Sequence, residues 1–311
     1  MTEPNLNVVA GLGAVGRAVI DVLVGRGLRV RAVGRHRDTD LPSEVEVAEA
    51  DLTDVESARR ALDGAAVVYH AASAPYHRWP EFLPPLMRGI IDGASATGAR
   101  IVYADNLYAY GPVDAPLTED LPYRAQGPNG RVRATLADQV MEAHAVGTVR
   151  ATIGRASDYY GPRGRQSTAG ERLFVPALAG KPAQVLGDPD LPHTLTYLPD
   201  FARGLVTLGT NDEALGQVWH VPSAETLTTR EFARLVYDAA GHPLRLQTLP
   251  SMLLAALALV SPTLRAVGEQ QYQREAPWVV DHSKFARAFG ADATPHAQAI
   301  ATTIDWFAKL G

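Results

Sequence analysis

Six short apolar runs alternate with helical ones through the first 155 residues, and this alternation constrains the fold more than any other feature. "LNVVA" (6–10), "LRVRAV" (28–33), "VEVAEA" (45–50), "AVVYHAA" (66–72), "RIVYA" (100–104) and "TVRATIGR" (148–155) read as strands. Between them lie a helix with Val15, Val19, Val22 and Leu23 on one face, closing at Gly25 and Gly27, and a short helix in "DVESARRALDG". Two longer helices follow, over 80–97 and 131–145. Thr53, with Glu56 three residues on, predicts a capping box at the start of the short helix. Strand–helix alternation at this spacing predicts βαβ units and a parallel sheet covered on both faces. After about residue 155 the rhythm breaks, and proline and glycine rise in "SDYYGPRGRQ" and "LAGKPAQVLGDPDLPHT". The expected organisation is a sheet domain over 1–155, with returns near 195–222 and 278–284, and a smaller lobe over 156–194 plus 223–311.

The first strand runs directly into "GLGAVG", where Gly11, Gly13 and Gly16 form GxGxxG and Ala14 and Val15 open the helix. The first glycine permits a tight turn, the second lets the backbone approach a pyrophosphate, and the third lets helix and strand pack closely. The helix N-terminus adds amide donors and a positive dipole end. In this βαβ context the motif predicts a dinucleotide site on an α/β, Rossmann-type doubly wound parallel sheet with a smaller C-terminal substrate lobe. An NAD-selective site carries Asp or Glu after the second strand, to bond the ribose 2′-hydroxyl. Here that stretch is Gly34, Arg35 and, further on, Arg37. A guanidinium pairs with a 2′-phosphate that a carboxylate would repel, so NADP(H) is the expected cofactor, with NAD(H) the alternative.

With these pieces in place the chain resembles the extended branch of the short-chain dehydrogenase/reductase superfamily, the NAD-dependent epimerase/dehydratase group. "ADLTD" is similar to the segment whose aspartate, here Asp51 beside Leu52, contacts the adenine amino group. "VVYHAAS" is similar to the strand-four motif that lines the cofactor through Ala71 and Ala72. "IVYADNLYAYGP" stands for the strand-five motif, and "GRASDYYGP" for the run that closes over nicotinamide and substrate. "LTYLPDFARGL" stands for a strand and helix entry in which Asp200 is expected as an N-cap. The resemblance implies an oxidoreductase or epimerase, and a possible homodimer through the two longer helices.

The departures bear on mechanism. Asn106, four residues before Tyr110, stands where the family carries its catalytic Ser or Thr. No Tyr-xxx-Lys follows within "GPNGRVRATLADQVMEAH"; Asn129 or Gly130 stands for the tyrosine, and Arg133 or Ala134 for the lysine. Leu83 stands near the family's asparagine after strand four. A phenol titrates near pH 10 and needs a neighbouring cation to work at neutral pH. Arg133 supplies a field but relays no proton. Asn106 orients a carbonyl or donates to an oxyanion and is no general acid. Tyr108 is the preferred phenol, with Tyr110 structural or substrate-lining and Asp105 a loop cap through backbone amides. In "SAPYHRWPEF", His77 is a candidate acid/base, since its free pKa lies near neutrality, and Tyr76 and Trp79 are candidate substrate contacts. Ser157, Asp158, Tyr159, Tyr160 and His193 are further candidates for the substrate pocket, and His70 is expected as a hydrogen-bonded core residue.

Composition excludes several classes. The net charge is −5 and the 29 basic residues are scattered, so no nucleic-acid stripe exists. The chain has no cysteine, which removes disulfides, thiolate nucleophiles and cysteine metal sites, and no metal is expected. The N-terminus has no basic region leading into an apolar core, and the longest apolar run, Met252 to Val260, is too short for a bilayer. A cytoplasmic protein with a small-molecule substrate is expected. Three functions fit: an NADP(H)-dependent oxidoreductase or epimerase-like enzyme, a non-redox isomerase, dehydratase or cyclase, and a redox-sensing regulator.

Overall fold

The computed structural model describes residues 6–36, 40–249, 265, 266 and 268–310. Its centre is a seven-stranded sheet. The strands are β1 (Leu6–Ala10), β2 (Val30–Gly34), β3 (Glu46–Glu49), β4 (Ala65–His70), β5 (Arg100–Asp105), β6 (Arg150–Arg155) and β11 (Val218–His220). They lie in the order β11-β6-β5-β4-β1-β2-β3, every neighbouring pair parallel. The order reverses between β1 and β4. In open α/β sheets a ligand crevice forms at such a switch point, outside the carboxyl ends of the strands.

Helices cover both faces, which is why the strands read as continuous apolar runs. One face carries α2 (Val55–Leu62), α3 (Trp79–Thr97) and α4 (Pro128–Ala145), joined through Ala58, Leu86 and Val140 in one core. The other carries α1 (Ala14–Gly25), α6 (Leu198–Thr210) and α8 (Ser283–Phe289), joined through Val19, Leu205 and Phe285. A third core gathers Tyr160, Phe174, Phe232 and Ile300. It is built by α5 (Glu171–Leu178), α7 (Thr229–Ala239) and α9 (His296–Ala308). Short pairings complete this part: β7 (Tyr159–Tyr160) with β10 (Thr196–Tyr197), β8 (Ala183–Leu186) with β13 (Leu246–Leu249), and β9 (Pro192–His193) with β12 (Leu227–Thr228).

Two local expectations are corrected. The N-cap of α2 is Asp54, whose carboxylate accepts from the Ser57 amide at 2.8 Å. Thr53 instead donates to Asp51 through its amide at 2.9 Å and its hydroxyl at 2.7 Å. Asp200 lies inside the first turn of α6, behind an N-cap at Tyr197. Buried there, it accepts from the Thr294 hydroxyl at 2.7 Å and from the Arg203 guanidinium, tying α6 to the segment before α9. The apolar run 252–260 lies outside the described residues, as does Arg37. No described helix is long and apolar enough to cross a membrane.

Candidate active site

The glycine turn meets the demands of a phosphate cradle, and each glycine does so differently. Gly11 has φ +100°, and a Cβ there would lie 2.3 Å from the Ala72 Cα. A Cβ at Gly16 would lie 1.8 Å from the Gly11 carbonyl oxygen. Both are therefore fixed by close packing of β1, α1 and the end of β4, which the Ala71 amide ties to the Ala10 carbonyl at 2.8 Å. Gly13 differs: a Cβ there meets nothing within 4 Å. It is the N-cap of α1, no side chain caps that end, and the first turn, with Ala14 and Val15, carries no acid. Open space against uncapped amides is what an anionic pyrophosphate requires. The residues present fit a dinucleotide.

Around that turn, Gly34 ends β2 and Arg35 follows it, exposed, its guanidinium 5.3 Å from the centre of the Phe82 ring. Among the described residues that end and follow β2, Gly34, Arg35 and His36 bear no carboxylate, and Glu49 on β3 is the register partner of Gly34. Asp51 is held ionised mainly by the Thr53 hydroxyl, then by the Thr53 amide. Leu52 is buried in the core.

Tyr76 and Trp79 follow β4, Asn106 and Tyr108 follow β5, and Asn129 and Arg133 lie on the first turns of α4. The Tyr76 and Tyr108 hydroxyls are 3.1 Å apart. Trp79 is buried, donates its indole N–H to the Ala74 carbonyl at 2.8 Å, and backs Arg133, whose guanidinium carbon is 4.1 Å from its ring centre. Arg133 donates to the Tyr103 hydroxyl at 2.7 Å and lies 3.4 Å from Asp105 Oδ1. Burial works against its charge, and Tyr103 and Asp105 more than restore it. Of the two registers open in the sequence, it is Asn129 and Arg133 that are buried side chains on one helix face.

Asn106 spends its side-chain carbonyl on the Tyr108 amide at 3.0 Å, so its NH₂ is the group left to offer. His77 is exposed on a 3₁₀ turn spanning Tyr76–Arg78. Burial raises the pKa of Tyr76, and that of Tyr108 further still; Tyr159, half-buried, is pushed up to about 12, again chiefly by burial. These phenols stay protonated at neutral pH. They can donate a hydrogen bond to a developing oxyanion, and they cannot serve as a base.

Three assignments change, those of Asp105, Tyr160 and His70. Asp105 is no loop cap: its Oδ2 accepts from Arg155 Nε at 2.9 Å with both side chains fully buried. Tyr110, expected as structural or substrate-lining, is fully buried and bonds His220 Nε2 at 2.8 Å, as the structural alternative has it. Tyr160 is buried in the third core, its hydroxyl 3.0 Å from His296 Nδ1. His70 is a core residue stacked on Tyr103, but its Nδ1 has no hydrogen-bond partner.

Two groups went unread in the sequence. Arg274 reaches Asp158 at 3.6 Å, and Glu269 accepts from the Asn129 amide at 3.1 Å. Both lie more than a hundred residues from these partners, so no local pattern announces them. The chain's three lysines stand elsewhere: Lys181 and Lys309 are exposed, and Lys284 bonds the Val218 carbonyl at 2.8 Å on the edge strand β11.

Residues 8–221 match the NAD dependent epimerase/dehydratase family. The chain belongs to that family. Among curated proteins it is 26% identical over 226 residues to a dTDP-glucose 4,6-dehydratase of Streptomyces griseus, covering 71% of this chain and 62% of that one. It is 23% identical over 194 residues to the uncharacterized UDP-glucose epimerase YtcB of Bacillus subtilis, covering 58% and 60%. The chain thus spans about three-fifths of the length of these two relatives. Among solved structures, UDP-glucuronic acid 4-epimerase from Bacillus cereus, in complex with UDP-glucuronic acid and NAD, aligns with a TM-score of 0.80 at 18% identity, over 98% of this chain and 100% of that one. The UDP-glucose 4-epimerase of Thermotoga maritima aligns with a TM-score of 0.79 at 17% identity, over 98% and 99%. At such identities the structures share the fold of this epimerase/dehydratase chain.

Proposed function

We propose that this family member binds NADP(H) in preference to NAD(H) and acts on a small carbonyl- or hydroxyl-bearing substrate as a reductase or epimerase-like enzyme. The observation that carries the reading is the open position at Gly13, against the uncapped start of α1 and beside a β2 end that Arg35 follows directly. The dinucleotide, when bound, supplies hydride exchange at the substrate carbon. The chain's own residues orient and polarise. Tyr76, Tyr108 and the Asn106 amide donate toward the substrate oxygen. Arg133, braced by Trp79 and Asp105, sets a positive field over the same region.

With no lysine near, no phenol is drawn down to act as a base. This favours a second reading, in which NADP(H) keeps its oxidation state and the donors stabilise an oxyanion during isomerisation or dehydration. The two separate by following absorbance at 340 nm through turnover. The cofactor assignment is tested by calorimetry with NADPH and NADH on the parent chain and on Arg35→Asp. The reading expects tighter NADPH binding in the parent and roughly a tenfold shift toward NADH in the variant. Unchanged preference removes its basis.

A further inference from the structure

A second polar cluster stands beside the phenols. Asp158 follows β6 by three residues, as Tyr76 and Tyr108 follow β4 and β5, so all three come from the carboxyl ends of adjacent strands. His193 Nε2 lies 3.4 Å and Arg274 NH2 3.6 Å from Asp158 Oδ2. The three side chains are buried to nine-tenths: exposures are 10% for Asp158, 8% for His193 and 9% for Arg274. Yet Ser157 Oγ, Asp158 Oδ2, His193 Nε2 and Arg274 Nε are all without an aligned hydrogen bond. So are Asn129 Nδ2 and Arg133 Nε on α4. Burying polar atoms without aligned hydrogen bonds is costly, and these atoms call for a partner that both donates and accepts. The charge of Asp158 is felt by Tyr76, Tyr108 and Tyr159, and that of Arg133 by Tyr76 and Tyr159, which sets the two groups in one field.

The composition of the cluster selects among ligands. Its guanidinium that is not committed to Asp105 is that of Arg274, which already faces a carboxylate and donates to the Thr168 hydroxyl at 3.0 Å. A diphosphate here would bring two negative charges against Asp158 in a water-poor site, where like charges repel strongly. A hydroxyl satisfies the same atoms at no charge penalty: it donates to Asp158 Oδ2 and accepts from Arg274 Nε or Ser157 Oγ.

We infer that Ser157, Asp158, His193 and Arg274 form a substrate subsite for an uncharged polyhydroxylated molecule, such as a free sugar or polyol, and that this subsite disfavours nucleoside-diphosphate-linked sugars. This rests on the proposed function, in that the substrate's reacting carbon would lie by Tyr108. Asp158 is the specificity-determining acceptor; burial opposes its charge, and His193 and Arg274 more than offset that and lower its pKa.

The test uses the full chain saturated with NADPH, whose own binding isotherm is recorded first. Failure at that step overturns the proposed function and is distinguishable from failure of the subsite. Calorimetry then compares UDP with glucose, xylose and sorbitol, on the parent, Asp158→Asn and Ser157→Ala. The expected result is that at least one neutral probe binds the parent more tightly than UDP does. That probe weakens by roughly tenfold or more in Asp158→Asn, while UDP binds this variant at least tenfold better than it binds the parent. Ser157→Ala removes one donor without touching the charge; it weakens the neutral probe severalfold and leaves UDP unchanged, which keeps the test open should Asp158→Asn fold poorly. The inference is overturned if UDP binds the parent more tightly than every neutral probe, if no neutral probe binds, or if neither substitution weakens the neutral probe.

Discussion

Replacing Asp105 by asparagine leaves its shape and one acceptor in place and removes a charge that two buried guanidiniums share. Arg155 Nε lies 2.9 Å from Oδ2 and Arg133 NH1 3.4 Å from Oδ1, with side-chain exposures of 0% for Arg155, 9% for Arg133 and 0% for Asp105. Arg155 has little else to offset it: its NH2 donates to the Tyr123 hydroxyl at 2.8 Å, Tyr110 and Tyr123 flank its plane at 4.7 and 4.9 Å, and NH1 has no partner. Removing one member of a buried ion pair costs about 3–5 kcal/mol, because the survivor stays buried and uncompensated. In a domain of this size that corresponds to a fall of roughly 6–15 °C in melting temperature. The assay is calorimetric melting at pH 7, with a double-mutant cycle against Arg155→Met. The cycle matters because apolar replacement of a whole buried pair is often nearly neutral. The double variant is expected to recover about half or more of the single variant's loss. A loss below about 1 kcal/mol in Asp105→Asn, or strict additivity in the cycle, refutes the reasoning.

Two further outcomes follow from buried titratable groups. His220 is fully buried between Tyr110 and the Asp281 carbonyl, and burial, aided by the Arg155 charge, lowers its pKa from 6.5 to about 3. The unfolded chain therefore takes up a proton below about pH 6.5 that the folded chain refuses, so stability is whole above that pH and falls as pH drops toward 3. In urea titrations from pH 7 to 4.5, His220→Gln flattens the decline by about one proton, and an unaltered slope contradicts the assignment. The phenols give the second outcome. In a spectrophotometric titration of the folded protein, Tyr76→Phe and Tyr108→Phe leave the phenolate absorbance below pH 10 unchanged, since both side chains titrate above the ordinary range. A phenol ionising between pH 7 and 9 that disappears in either variant would restore a tyrosine base to the site.

The legible parts of this chain were the local ones. The six strands and the glycine turn each write their cause within a dozen residues: apolar runs for strands buried on both faces, and small residues where backbones touch. Arg133 was reached through the family resemblance alone, as one of two positions that stand for the lysine, with Ala134 left open beside it. Asp105 was misread because its partner Arg155 lies 50 residues on, joined only by the pairing of β5 and β6. Tyr159 and Tyr160 were read together, yet successive residues of a strand face opposite sides, and that rule alone sends one of them into the third core. Arg274 and Glu269 arrive from the far end of the chain, where sequence spacing carries no information about what they meet.

The central claim is that a dinucleotide's phosphates rest at the start of α1, and Gly13 tests it most directly. Its backbone is extended, with φ −72° and ψ −171°, and a Cβ there meets no atom within 4 Å, so Gly13→Val is expected to leave the melting temperature nearly unchanged. The same side chain would fill the space at the uncapped amides. Calorimetric titration of NADPH into the folded variant is predicted to show affinity reduced about a hundredfold or more relative to the parent. A Gly13→Val protein that folds and binds NADPH as tightly as the parent would contradict the account.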